Sequence, residues 1–356
     1  MIMKTYDELT EEELKLVGDE FQISTEELTR RKIKKWLKEH SYLAFRNEIR
    51  KSVIGQTALD DVMICIYLYL EKIANGLSKA ETILLTSPSG CGKTETYRAV
   101  REYLRKELPF LPCYLFDVSS LAETSYRGAH IAQLMEGLFE EKETNGIGIV
   151  WLDEFDKKVI PSFESGGSNS NAAVQREMLT VLEGRDVNKY SRSEEILATV
   201  NTNNTLFIAL GSFDHVREER TEESKEMGFG ASGEAVEHYD SITRQDLIDG
   251  GGIYELIGRI TTIFNYVPLD EKSVRKIIEL IRNDEENEFN IFVELKESTV
   301  KKLLESANTK YGCRLIRSTM HERLLSQYKV ILEKRLNRNN VQIVLDEAGD
   351  RVEKIA

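Results

Sequence analysis

Apolar positions along this 356-residue chain fall into two patterns. Short continuous runs occur at Ile83-Leu84-Leu85, at Ile149-Val150-Trp151-Leu152 and across 206–210, with further ones at 113–118 and 262–267. Runs of that length predict buried strands. Between them the spacing turns helical, over about 57–74, 95–108, 129–142 and 174–182. Val100 and Leu104 mark the apolar face of the second. Strand alternating with helix predicts an α/β fold around a parallel sheet. Pro268 closes this alternation. Beyond it the pattern is mostly helical, over 273–281, 299–308 and 314–336, with a last short strand at 341–345. The expected division is a helical region 1–50, a large domain 51–268 and a small, mostly helical domain 269–356.

Two stretches at predicted strand ends carry chemistry. The first runs from Ser87 to Thr94, Ser-Pro-Ser-Gly-Cys-Gly-Lys-Thr, between a strand and a helix. Backbone N–H groups and the positive end of a helix cradle a triphosphate without desolvating many side chains. Gly90 and Gly92 allow the tight approach; Ser89, Cys91 and Glu95 line the same turn. Lys93 is placed to reach the β and γ phosphates, and the Thr94 hydroxyl to bind Mg²⁺. The strict pattern opens with glycine, and Ser87 stands there. The second stretch is Asp153-Glu154 at the end of the 149–152 run. Ligands of open α/β sheets bind at such strand ends. Asp153 is expected to hold Mg²⁺, and Glu154 to polarise the attacking water.

Composition narrows the class. The chain is 41% hydrophobic and 31% charged, without an apolar run of membrane-spanning length. A polar, acidic start does not read as a signal peptide, so a cytoplasmic protein is expected. The net charge of −13 counts against a nucleic-acid partner. Cys65, Cys91, Cys113 and Cys313 are scattered and suggest neither zinc nor a disulfide framework. Cys91, beside Lys93 and a helix N-terminus, has surroundings that favour thiolate. Ser24 with Glu27 reads as a capping box, and Arg30, Arg31, Lys32, Lys34 and Lys35 as a solvated basic face. Residues 160–171 read as a loop and 214–240 as a charged surface excursion.

Further segments give these motifs a familiar order. Val53-Ile54-Gly55-Gln56 precedes the glycine loop; Glu255-Leu256-Ile257-Gly258-Arg259 and Gly312-Cys313-Arg314 follow the carboxylates. In that order the chain resembles the Clp/HSP100 branch of the AAA+ superfamily, its ClpX-type unfoldases most, over about 50–346. The resemblance implies a P-loop NTPase large domain, ATP and Mg²⁺ as cofactors, and Val53 and Ile54 at the adenine. It implies Arg259 reaching a neighbouring subunit's nucleotide and Arg314 sensing the nucleotide in cis, each added positive charge for phosphoryl transfer.

The same resemblance implies a homohexameric ring that unfolds protein substrates and threads them through its pore. Tyr126, flanked by Ser125 and Arg127, takes the place of the gripping aromatic in the pore loop, and residues 162–171 fall where a second pore loop lies. Met227-Gly228-Phe229 matches the tripeptide that docks on a ClpP-like peptidase. Ser212 stands in the sensor-1 region. The zinc-binding cysteines that precede the ATPase domain in some members are not found. Two alternatives remain open: a chaperone or remodeller working without a peptidase, and a nucleic-acid motor of the same superfamily.

Overall fold

A computed structural model describes residues 24–122, 131–140, 144–163, 169–190, 195–217, 241–307 and 312–355. They fall into two units: up to 53, 58–86 and 93–265 in the first; 54–57, 87–92 and from 266 onward in the second.

The first unit is built on a parallel sheet of five strands. In chain order the strands are β1 (Glu81–Thr86), β2 (Cys113–Asp117), β3 (Gly148–Asp153), β4 (Asp186–Tyr190), β5 (Ile196–Asn201), β6 (Thr205–Gly211) and β7 (Ile260–Asn265). Sheet order is β2-β3-β6-β1-β7, all parallel. The chain leaves β1 towards one edge and returns past it to β7 at the other. Such a reversal opens a crevice at the carboxyl ends of the strands. Residues 83–85, 149–152 and 206–210 are fully buried, as near-continuous apolar runs in parallel strands require.

Nine helices of this unit are described: α1 (Thr25–Glu39), α2 (Tyr42–Ile49), α3 (Leu59–Ala74), α4 (Lys93–Glu107), α5 (Glu136–Glu140), α6 (Asp156–Val159), α7 (Ser170–Leu182), α8 (Arg244–Asp249) and α9 (Tyr254–Arg259). Trp36 of α1, Phe45 of α2, Tyr67 of α3 and Tyr103 of α4 form one aromatic cluster. Edge-to-face contacts of this kind add to the area they bury.

The second unit has α10 (Glu271–Phe289), α11 (Glu297–Ala307) and α12 (Arg314–Glu333) against a sheet of order β10-β9-β8. These strands are β8 (Phe292–Leu295), β9 (Val341–Leu345) and β10 (Arg351–Lys354). Its core joins Ile278 and Phe289, Leu303, Ile316, Met320 and Leu324 to Val293 and Ile343.

The α/β expectation holds, and several local expectations are corrected. Arg30 is not part of a solvated face: it is 8% exposed and donates to the Ile73 carbonyl at 2.6 Å, to Ser78 and to Asn204. Glu26, one turn earlier, carries its counter-charge. The Ser24 hydroxyl caps α1 by accepting from Glu27 N, while the Glu27 carboxylate turns to Arg31. The segment expected as one helix over 129–142 is, where described, a 3-10 turn Ile131–Met135 followed by the short α5. The β4–β5 hairpin and β8 and β10 have no counterpart in the apolar pattern, and α10 runs well past 281. The excursion expected from 214 begins inside the fold, because Val216 is buried.

Candidate nucleotide site

Asp153 ends β3, and Glu154 follows it in the left-handed region at φ 55°. A residue with a Cβ pays roughly 1–3 kcal/mol to stay there and is held by its surroundings. Two bonds hold it. Glu154 N donates to Asp153 Oδ1 at 2.9 Å, and Phe155 N donates to the Leu210 carbonyl of β6 at 2.9 Å. The exit of β6 repeats the geometry: Phe213 has φ 52° and is fully buried. Asp156, 3% exposed, accepts from Ser212 Oγ at 3.1 Å and from Phe213 N at 3.4 Å. The two strained exits are thus tied together, with the Glu154 side chain left exposed beside them.

Register puts these groups level with the end of β1. Leu152 lies opposite Ala209, which lies opposite Leu84, and Thr86 pairs with Gly211. Thr86 Oγ1 accepts from Arg217 at 2.8 Å, and the same guanidinium donates to the Ser212 carbonyl at 3.2 Å. Asn265, ending β7, brackets Ile242 through its N–H and carbonyl. Arg217 and Asn265 were not foreseeable as site residues. Arg217 opens a charged run in the sequence, and Asn265 lies in a strand with no motif.

Lys93 and Thr94 open α4, and Glu95 in its first turn pairs with Arg98 at 3.3 Å. Arg259, the last residue of α9, is half-exposed and pairs with Glu183 at 2.8 Å. Arg185, and then Arg259, hold the Glu183 carboxyl below its usual range. Tyr254, Glu255, Gly258 and Arg259 are all exposed on α9.

In the second unit the loop itself is defined. Gly90 and Gly92 have φ of 76° and 99°, so both positions need glycine. Ser87 lies outside the left-handed region, which is why serine is tolerated where the strict pattern has glycine. It is fully buried and donates to the Pro88 carbonyl. Gln56, 3% exposed, donates to the carbonyls of Cys91 (3.0 Å) and Val267 (2.8 Å) and accepts from Val267 N (3.0 Å). It therefore fastens the loop to the start of this unit. Gly312, at φ 54°, packs on the loop backbone at Ser89 and Gly90. Arg314 opens α12, exposed and without an ion pair among the described residues. Val53, in the first unit, is buried, whereas Ile54, in the second, is partly exposed.

Tyr126 and Arg127 lie outside the described residues, as do Met227, Gly228 and Phe229.

A loop with two left-handed glycines before a helix that opens Lys-Thr, and a carboxylate pair at the end of a parallel strand, define a P-loop ATPase. The family model for the AAA domain (Cdc48 subfamily) matches residues 78–263, more than half of the chain, and the chain belongs to that family. It is similar to the ATP-dependent Clp protease ATP-binding subunit ClpX 2 of Wolinella succinogenes, 34% identical over 209 residues. That match covers 55% of this chain and 50% of the relative, so the chain spans about half the relative's length. The chain is thus an AAA+ ATPase, ClpX-like in sequence. No described helix is long and apolar enough to cross a membrane.

Proposed function

We propose that this chain is an ATP-driven protein unfoldase and translocase that works as a homohexameric ring. The observation that carries the reading is a strained, exposed Glu154 beside Asp153 at the end of a parallel strand, in a chain whose glycine loop has two left-handed glycines before Lys-Thr. The donor set fits Mg²⁺ with a nucleotide: hard oxygen ligands from Thr94 and Asp153, N–H groups of 89–92 and the start of α4 for phosphate. Bound Mg²⁺ neutralises phosphate charge. Val53 and Ile54 line the adenine, and Lys93 steadies the terminal phosphates. Glu154 orients the attacking water and draws on its proton. Arg314 adds charge from the same chain, and Arg259 adds it from a neighbouring one. Exposure of the α9 face around Arg259 supports that second role.

The substrate reading rests on similarity to a Clp protease subunit and on Tyr126 and Arg127 in a pore-loop sequence. Docking on a ClpP-like peptidase rests on Met227-Gly228-Phe229. The test is ATPase rate with and without an unfolded protein, with particle size measured in ATP. A hexamer stimulated by unfolded protein is expected, with Tyr126→Ala keeping hydrolysis but losing unfolding. DNA-stimulated hydrolysis without a response to protein would overturn the reading. Activity on proteins without any ClpP-like peptidase binding would shift it to a peptidase-independent remodeller.

A further inference from the structure

The glycine loop carries a feature that nucleotide binding does not use. A Cβ built on Gly312 would lie 2.7 Å from the Ser89 carbonyl oxygen and 3.0 Å from Gly90 Cα. The backbones of the loop and of the turn before α12 are therefore in contact. The residue after each glycine in that contact is a cysteine: Cys91 follows Gly90, and Cys313 follows Gly312. Cys91 is buried, with its Sγ 3.8 Å from the Ser89 carbonyl. Cys313 sits at the N-cap of α12 and makes no capping bond with its side chain. Burial, and then the Cys91 thiol beside it, push the Cys313 thiol up to about 11. Cys65 and Cys113 are also raised by burial, but neither by another cysteine. A disulfide asks for Cα atoms about 4.4–6.8 Å apart. Residues flanking so close a backbone contact can reach that span.

We propose that Cys91 and Cys313 are a dithiol switch on the nucleotide loop, closed by a small-molecule disulfide such as oxidised glutathione. The inference rests on the reading of residues 87–94 as the phosphate-binding loop. The Cys91 thiolate, its proton lost to solvent, attacks one glutathione sulfur and releases a glutathione thiolate. The Cys313 thiolate then attacks the Cys91 sulfur, forming the internal disulfide and releasing the second glutathione. Two protein thiols are oxidised and one glutathione disulfide is reduced. The bond clamps Gly90-Cys91-Gly92 to the first residue before α12, so the loop loses the freedom to wrap phosphates. It also restrains Arg314, the next residue. Because Cys313 attacks as thiolate, closure quickens as pH rises.

The full chain is oxidised with glutathione disulfide, digested and examined by mass spectrometry, and its affinity for a fluorescent ATP analogue is measured in parallel. A peptide pair linked through Cys91 and Cys313 is expected, with binding weakened about tenfold or more and restored by dithiothreitol. Cys313→Ala should bind like the wild type when reduced, and under glutathione disulfide it should form no linked pair but hold glutathione on Cys91, which the wild type releases. Absence of the linked pair, or glutathione left on Cys91 in the wild type, overturns the proposal. So does a linked chain that binds as tightly as the reduced one. If the reduced chain binds no nucleotide, the reading of the loop fails, and the linked pair alone decides the switch.

Discussion

Two glycine–cation pairs invite comparison: Gly92-Lys93 at the start of α4 and Gly258-Arg259 at the end of α9. Gly92 sits at φ 99°, where a side chain is strained whatever the space around it. Its own backbone demands the glycine. Gly258 is different. It lies within a helix, outside the left-handed region, and a Cβ there would meet nothing within 4 Å. Helical glycine is unfavourable relative to alanine, so the chain carries a cost with no return inside the described residues. The first pair is explained by one chain. The second has no such reason among the described residues; the role proposed for Arg259, a close approach from a neighbouring chain, would supply one.

The largest expected effect separates the two pairs. Arg259→Ala should bind nucleotide normally and lose hydrolysis by roughly 10³-fold or more, the range of arginine fingers acting between chains. Mixed with wild-type subunits, it should impair hydrolysis according to neighbour order. Normal turnover would leave Arg259 as the structural partner of Glu183 alone. Next comes Glu154→Gln, expected to lower turnover by roughly 10²–10⁴-fold while retaining ATP, as loss of a general base does. Single-turnover hydrolysis with a binding assay checks it; wild-type turnover would remove Glu154 from the chemistry.

A smaller effect is expected from Gln56→Leu. Three hydrogen bonds to the Cys91 carbonyl and to Val267 disappear, and the buried Cys91 carbonyl costs about 1–3 kcal/mol if left unsatisfied. Weaker nucleotide binding together with a lower Tm is expected. Weaker binding without a change in Tm would mean that Gln56 acts on the loop conformation alone.

The legible parts of the molecule were those where one local rule decides the structure. Apolar runs locate β1, β3 and β6 because both sheet faces are covered, and glycine spacing locates the loop because φ there is positive. Other parts depend on distant partners. The β4–β5 hairpin buries Val200 but exposes Tyr190, Ile196 and Leu197, so its apolar residues do not alternate in a way that announces a strand. Arg30 looks like its basic neighbours until Glu26, Ile73 and Asn204 close around it. Arg217 and Asn265 meet Thr86 from 131 and 179 residues away, separations that no sequence spacing encodes. The left-handed turn at Glu154 is equally silent, since the bond that pins it comes from Leu210 on another strand.

The smallest expected effect tests the comparison most directly. Gly258→Ala adds one methyl group to a helix where the chain leaves open space. For the chain alone the change should stabilise, by about 0.5–1 kcal/mol, because alanine loses less backbone entropy on entering a helix. Thermal or urea unfolding of dilute, nucleotide-free protein reads that term. If a neighbouring subunit packs against Gly258 to bring Arg259 to its nucleotide, the same methyl group intrudes there. A stabler chain with impaired ATP-dependent assembly and hydrolysis is therefore expected. Opposite signs in the two measurements cannot come from the isolated fold, where both would improve or neither would. Full activity in the stabilised variant would show that nothing approaches Gly258 and would leave its glycine unexplained.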